Sequence, residues 1–374
     1  MLRPSTIAIG LALMVVGCRP ADPAAAPSSA TGSGGLTAPA AMSADGPKVL
    51  VYHDMEGLAG QNDPATYRFS HPEAYPKGQA MLVADLNAVI AGLFDGGAKV
   101  VQVVDAHGSG NPAPDVLTAR LDPRATQVFR DSAFRQYVDL TAPNAYDAVV
   151  AVGMHAKTGS RGFASHTYTL GMEALINGVT VTESEIVGYS WGRVGVPMIM
   201  VTGDQRLKND LATMPWIEFV VTKEATAADS AILRPVAEVH AEMRAAAKRA
   251  IEKRNQAKAM TLGSPVRAAL RAVAPASLES MQGVPGINYR DNMVEFEAKD
   301  FGAAYDGLVA LINVARQSYP SVLTEMIRAR PDGQKLLLEY SDRLFQRWMD
   351  VESGRWSAPA PSAPAAGRKY HGAN

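Results

Sequence analysis

Lys48-Val-Leu-Val-Tyr-His-Asp-Met-Glu-Gly57 begins as an apolar run too short for a helix and ends on two carboxylates and a glycine. Such a run predicts a buried strand, and Gly57 lets the chain turn at its end. With the chain still extended at Asp54 and Glu56, their spacing sends both carboxylates to the same side, beyond the end of the strand. Working outward, Leu82, Leu86, Val89, Ile90 and Leu93 recur at helical spacing until Gly96-Gly97, and Lys99-Val-Val-Gln-Val-Val-Asp105 is a second strand. Tyr146 to Gly153 and Val196 to Thr202 repeat the strand pattern, with a helix from Glu183 to Trp191 before the last of them. This alternation predicts an α/β fold with a largely parallel sheet flanked by helices.

After Gly203 the pattern changes. Val236, Val239, Met243, Ala247 and Ile251 form a helical stripe, and Met293-Val-Glu-Phe-Glu-Ala298 alternates like a half-exposed strand, which predicts a smaller α+β portion in the C-terminal half. Met81 and Met243 on these stripes read as core, where Met commonly fills apolar gaps. A chain of 374 residues, 47% apolar and 20% charged, can bury a substantial core. Its formal charge of −1 and the lack of a concentrated Lys/Arg face argue against nucleic acid as a partner.

The ends differ in character. Met1-Leu-Arg3 is a positive start, Ile7 to Val16 is apolar but too short to span a bilayer, and Gly17-Cys18 is a small-residue stop, the marks of an export signal. Val15-Val-Gly-Cys18 resembles a bacterial lipobox, so lipidated Cys18 would anchor the chain to the cell envelope, on its periplasmic or outer-surface face; a plain signal peptide is the alternative. Cys18 is the sole cysteine, so no intramolecular disulfide can form. Ala, Pro, Ser and Gly dominate 19–47 and 357–374, which read as a disordered tether and tail, and no internal repeat lies between them.

Asp105-Ala-His107 and Gly153-Met-His155 stand just past two further predicted strands, and open α/β sheets bind ligands beyond the carboxyl ends of their strands. Any one pair alone reads more often as a helix cap or a satisfied loop than as a site. Three strand ends together, with Glu183 opening the next helix, point to a metal crevice. The carboxylates of Asp54, Glu56 and Glu183 balance two divalent cations and one bridging hydroxide, whereas without cations they would repel and push a pKa upward. Zinc suits mixed imidazole and carboxylate ligands; manganese or cobalt would suit them too.

In order along the chain, Asp54-Met-Glu-Gly57, Asp105-Ala-His107, Gly153-Met-His155, Ser165-His166 and Asn177-Gly178 through Glu183 resemble the motifs of the bacterial dinuclear zinc D-aminopeptidases associated with dipeptide-transport operons. Gly203-Asp204 and Phe296-Glu-Ala-Lys-Asp300 resemble later stretches, so the resemblance covers roughly Lys48 to Gln317. It implies an α/β fold, two zinc ions, and removal of N-terminal residues from short peptides containing D-amino acids, of the D-Ala-D-Ala type. It also implies that Asp54 bridges the metals, that Glu56 and His155 complete one site and His107 and Glu183 the other, and that His166 is catalytic. Asp105 would orient His107. Family members assemble as rings, which leaves a homo-oligomer open for a tethered chain. The leader, the tether and the stretch after Tyr319 are additions to the pattern; Thr182 replaces a usual Gly, and Glu185 competes with Glu183.

The implied chemistry is attack by a water that two cations acidify, while one of them polarises the scissile carbonyl. His166 would stabilise the oxyanion or deliver a proton to the leaving amine. His53, His71, His240 and His371 carry no ligand role in this reading, and Ser165 lacks a Gly-x-Ser-x-Gly elbow. The chain thus divides into an export signal with lipobox (1–18), a tether (19–47), a metal-binding α/β domain (48–213), a smaller α+β portion with C-terminal helices (214–356) and a tail (357–374). The expected function is an exported metallo-aminopeptidase. A dinuclear phosphoesterase and a non-catalytic metal- or peptide-binding lipoprotein are the alternatives.

Overall fold

The computed structural model of the chain describes residues 46–129, 135–273, 276–316 and 320–356. The export signal, Cys18, nearly all of the tether and the tail lie outside the described residues. The first half supplies β1 (Lys48–His53), α1 (Tyr75–Asp95), β2 (Val100–Asp105), β3 (Thr126–Gln127), β4 (Ala148–Met154), β5 (Met172–Ile176), β6 (Val179–Thr180) and α2 (Glu183–Gly192). Next come β7 (Met198–Gly203), α3 (Gln205–Asp210), β8 (Glu218–Val221), β9 (Lys223–Ala227), β10 (Ser230–Leu233) and α4 (Val236–Glu252). The chain continues through β11 (Val266–Ala272), β12 (Asn288–Arg290), β13 (Met293–Ala298), α5 (Phe301–Arg316), α6 (Pro320–Arg328) and α7 (Gly333–Glu352). Among the described residues no helix is long and apolar enough to cross a membrane.

The expected α/β architecture is present. Six strands form one sheet in the order β3-β2-β1-β4-β7-β8, each neighbouring pair parallel. From β1 the chain works outward to one edge, and from β4 to the other, so the order reverses between β1 and β4. In an open parallel sheet the crevice for ligands lies at that reversal, beyond the carboxyl ends. Central strands are covered on both faces, which is why β4 is buried along its whole length and reads as a continuous apolar run. Alternation along β1 divides the core. Val49 and Val51 pack with α1 and α4, while Leu50 and Tyr52 join the cluster containing α2, β5, β11 and α5.

A second sheet, β12-β13-β11-β5-β6, is antiparallel, and β9 and β10 form a separate hairpin. The division at residue 213 does not separate the two sheets, because β5 and β6 precede it and β8 follows it. Helix α4, expected in the smaller portion, packs instead on α1 beside the parallel sheet. Gly92 permits this close crossing: a Cβ there would lie 2.1 Å from the Arg244 carbonyl oxygen. Helix α1 starts at Tyr75, one turn and more before the apolar stripe, with Pro76 in its first turn, where its missing N–H costs nothing.

Gly57 sets how closely the turn after β1 approaches β4. Its N–H donates to the Gly153 carbonyl at 2.7 Å, and an added Cβ would fall 1.9 Å from the Met154 carbonyl oxygen. Gly57→Ala therefore forces the two strand ends apart and is expected to cost about 1–3 kcal/mol of stability, seen as a lower denaturant midpoint. Gly263→Ala, whose methyl meets open space, is the comparison. Equal midpoints for the two variants would show that the close approach is not needed.

Candidate metal centre

Strand ends deliver the candidate ligands. Asp54 and Glu56 follow β1, His107 follows β2, His155 follows β4, and Glu183 opens α2; all five are between 2% and 7% exposed. His166 is half-buried in the loop between β4 and β5, its backbone N–H donating to Ala156. The structure thus brings together all six residues expected at the site.

His107 Nδ1 lies 2.8 Å from Asp54 Oδ1 and 3.1 Å from Glu56 Oε2. On the other side, His155 Nε2 is 3.4 Å from Asp54 Oδ2 and 3.7 Å from Glu183 Oε1. Two groups capable of holding a cation result, Asp54–Glu56–His107 and Asp54–His155–Glu183, sharing Asp54; a third grouping joins Glu56, His155 and His166. Of the pairing implied by the resemblance, Glu56 with His155 recurs in that third grouping, whereas among the described residues no grouping joins His107 with Glu183. β1 sits between β2 and β4, so Glu56 lies within reach of both His107 and His155, while α2 packs against β4 and brings Glu183 to His155.

Each imidazole is oriented by a backbone carbonyl. His107 Nε2 donates to Tyr67 O at 2.7 Å, His155 Nδ1 to Ala156 O at 3.0 Å, and His166 Nδ1 to Ala164 O at 2.7 Å. Donation at the far nitrogen leaves the near one as a lone-pair ligand. Asp105 acts on His107 through the backbone: its Oδ1 accepts the His107 N–H at 2.9 Å, and the ring itself is set by Tyr67.

The helix start gives the competing Glu183 and Glu185 different surroundings. Thr182 is the N-cap of α2, and Glu185 Oε2 accepts the Thr182 N–H at 2.7 Å while Thr182 Oγ1 accepts the Glu185 N–H at 3.1 Å, a reciprocal capping box. Thr213 Oγ1 donates to the other Glu185 oxygen at 2.6 Å. Glu183, one position into the helix, accepts from Tyr137 OH at 2.6 Å and from the Tyr168 N–H at 2.7 Å. Thr182 therefore has a local reason to stand in place of Gly.

Electrostatics match a site built for cations. Burial works to raise the Asp54 carboxyl, but hydrogen bonds with Glu56, His107 and His155 outweigh it and hold that carboxyl well below its ordinary value. Burial and the neighbouring Asp54 charge push Glu56 up to about 7. Although burial alone would lower them, the surrounding carboxylates raise His155 to about 10 and His107 well above its usual range. Burial, with the charge of stacked His155, lowers His166 to about 4. The imidazoliums thus supply positive charge that cations would replace, releasing protons as they bind. His155 Nε2 is buried without a hydrogen-bond partner. Ligand atoms around a tetrahedral zinc, bound at about 2.0–2.1 Å, stand about 3.3 Å apart, and the separations here span that value. The residues fit the metal.

Several residues of the site carry no signal in the sequence. Lys223 is fully buried, and its Nζ donates to Glu56 O at 2.6 Å and to Gln61 Oε1 at 2.8 Å while lying 3.8 Å over the Phe163 ring. Burial pulls this amine down to about 7. Two of the remaining histidines make contacts outside the cluster: His240 Nε2 donates to Asp85 Oδ1 at 2.8 Å, and Asp85 Oδ2 accepts the Ala59 N–H at 2.9 Å. That chain ties α4 to the turn bearing Glu56. His71 meets Arg68 on the surface.

Fold and site together define an α/β protein with a carboxylate–imidazole cluster, suited to metal, at the reversal point of a parallel sheet. Residues 48–310 match the model of peptidase family M55, described as D-aminopeptidase, and the chain belongs to that family. Among solved structures it is similar to one titled "Zn-dependent D-aminopeptidase DppA from Bacillus subtilis, a self-compartmentalizing protease", at 22% identity and a TM-score of 0.65, over 72% of this chain and 98% of that one. No curated protein matches the chain.

Glu183→Gln is expected to lower divalent-metal content. Glu185→Gln should keep it while weakening the cap by about 1 kcal/mol. Metal analysis of the two variants beside their denaturation midpoints checks this, and the reverse pattern would move the ligand role to Glu185.

Proposed function

We propose that the chain is a metallo-aminopeptidase removing N-terminal residues from short peptides that contain D-amino acids. Asp54, Glu56, His107, His155 and Glu183 would hold two divalent cations, with zinc as the metal its ligand types suit. The observation carrying this reading is the shared carboxylate: Asp54 presents one oxygen to each imidazole, so two ligand groups meet at one residue. Family membership favours peptides over phosphate esters as substrates.

When bound, the cations supply a water acidified toward neutrality and polarise the scissile carbonyl. The chain's own residues do the rest. Tyr67, Ala156 and Ala164 carbonyls fix the three imidazoles, and burial keeps bulk water from the carboxylates. His166, stacked on His155 with ring centroids 4.0 Å apart, keeps Nε2 directed at the cluster, 4.0 Å from Glu183 Oε1. Its Nδ1–H being committed to Ala164 O, the neutral ring accepts a proton at Nε2 and, once charged, donates it to the leaving amine or the oxyanion of the tetrahedral state. Export and anchoring through lipidated Cys18 belong to the same proposal on the pattern of residues 1–18. Assembly of identical chains belongs to it because the similar solved structure is described as self-compartmentalizing.

The purified protein should bind two divalent ions per chain and lose hydrolysis of D-Ala-D-Ala peptides on chelation. His166→Ala should keep both ions while activity falls on the order of 100- to 10,000-fold. Full activity with one ion would overturn the dinuclear reading. A fully loaded His166→Ala variant within a few-fold of the parent would remove His166 from the chemistry.

A further inference from the structure

Glu183 is held at both oxygens before any cation is considered. Oε1 accepts the Tyr168 backbone N–H at 2.7 Å and also faces His155 Nε2 at 3.7 Å and His166 Nε2 at 4.0 Å. Oε2 accepts the Tyr137 hydroxyl at 2.6 Å, a buried charge-assisted bond of the strong kind. Nothing in the sequence marks Tyr137, since it lies far from every ligand motif.

Its surroundings make it a rigid donor. Tyr137 is 1% exposed, and its ring is framed by Tyr52, Tyr168 and Tyr305 at centroid distances of 6.4, 5.9 and 6.2 Å. The residue before it reaches the opposite ligand group: Gln136 Nε2 donates to Ala106 O at 3.0 Å, next to His107. Adjacent side chains of one segment thus brace both halves of the cluster, the first through the backbone before His107 and the second through the Glu183 carboxylate itself.

We infer that Tyr137 is a positioning residue for the Asp54–His155–Glu183 group: its hydroxyl fixes Glu183 Oε2 and so presents Oε1 to a cation. This rests on the metal reading of the site. Loss of such an outer hydrogen bond to a metal-ligating carboxylate typically weakens metal affinity about 10- to 100-fold. The effect should fall on one of two ions, because Asp54–Glu56–His107 makes no hydrogen bond to Tyr137.

The test is competition titration of zinc against a chromophoric chelator, on the parent, Tyr137→Phe, Glu183→Gln and the double variant. Tyr137→Phe keeps the ring contacts and should show one class of ion weakened about 10- to 100-fold and the other unchanged. The double variant should bind zinc as Glu183→Gln does, because the hydroxyl acts only through that carboxylate. A general loosening of the fold would instead add to the Glu183→Gln loss, and that result overturns the inference even where Tyr137→Phe is less stable. Parental affinity for both ions in Tyr137→Phe overturns it as well while leaving the metal reading intact. A parent that binds no zinc overturns the metal reading and this inference with it.

Discussion

Three carboxylates buried within a few ångströms of one another need positive charge buried with them, since the effective penalty for taking each ion out of water is on the order of several kcal/mol. Much of the structure follows from meeting that need. Asp54 lies between two imidazoles, and Lys223 sits behind Glu56, its Nζ bonded to the Glu56 carbonyl. Even so, Glu56 is pushed up to about 7 and the imidazoles of His107 and His155 are driven upward. The cluster has more negative potential than its own side chains neutralise comfortably, a setting that suits divalent cations.

Delivering five such groups to one point is a task for strands, whose ends are fixed by a ladder of backbone hydrogen bonds. Parallel pairing of β1 with β2 and β4 sets the relative heights of Asp54, His107 and His155 to within a residue of register. Gly57 and Gly153 then let the turn after β1 close over the end of β4, where a side chain at Gly57 would collide with the Met154 carbonyl. Glu183 arrives by a different route, at the first turn of a helix whose position is set by its own capping box.

The strand–helix alternation and the ligand-bearing strand ends were legible because they depend on local periodicity and on residue type. Apolar runs reveal β1, β2, β4 and β7, and Asp54, His107 and His155 fall immediately beyond three of them. What stayed hidden depends on contacts distant in sequence. No local feature says that Tyr67 offers a carbonyl to His107 across 40 residues, or that Tyr137 reaches Glu183 across 46. Which imidazole Glu56 and Glu183 each stand nearest is hidden for the same reason, because sequence order gives no information on which side of β1 each loop descends. Helix α4 shows the complement: its apolar stripe is plain, but its partner is decided by the closeness that Gly92 allows.

The loop that carries His166 is built unlike the strands. Arg161, Ala164 and Tyr168 adopt φ of 57°, 54° and 63°, the left-handed region that side chains disfavour. Each such residue costs on the order of 1 kcal/mol or more, so the loop holds this shape only because its surroundings over-determine it. The restraints are visible: Phe163 N donates to Asp204 Oδ2, Ala164 N to Ala228 O, and Tyr168 N to Glu183 Oε1. The first anchors the loop to the N-cap of α3 and the last to a member of the cluster itself. A left-handed Tyr168 thus sets the carboxylate that faces His155, and a left-handed Ala164 supplies the carbonyl that orients His166. The strained backbone therefore sets geometry at two side chains of the candidate site, where non-glycine residues occupy conformations that glycine would adopt more easily.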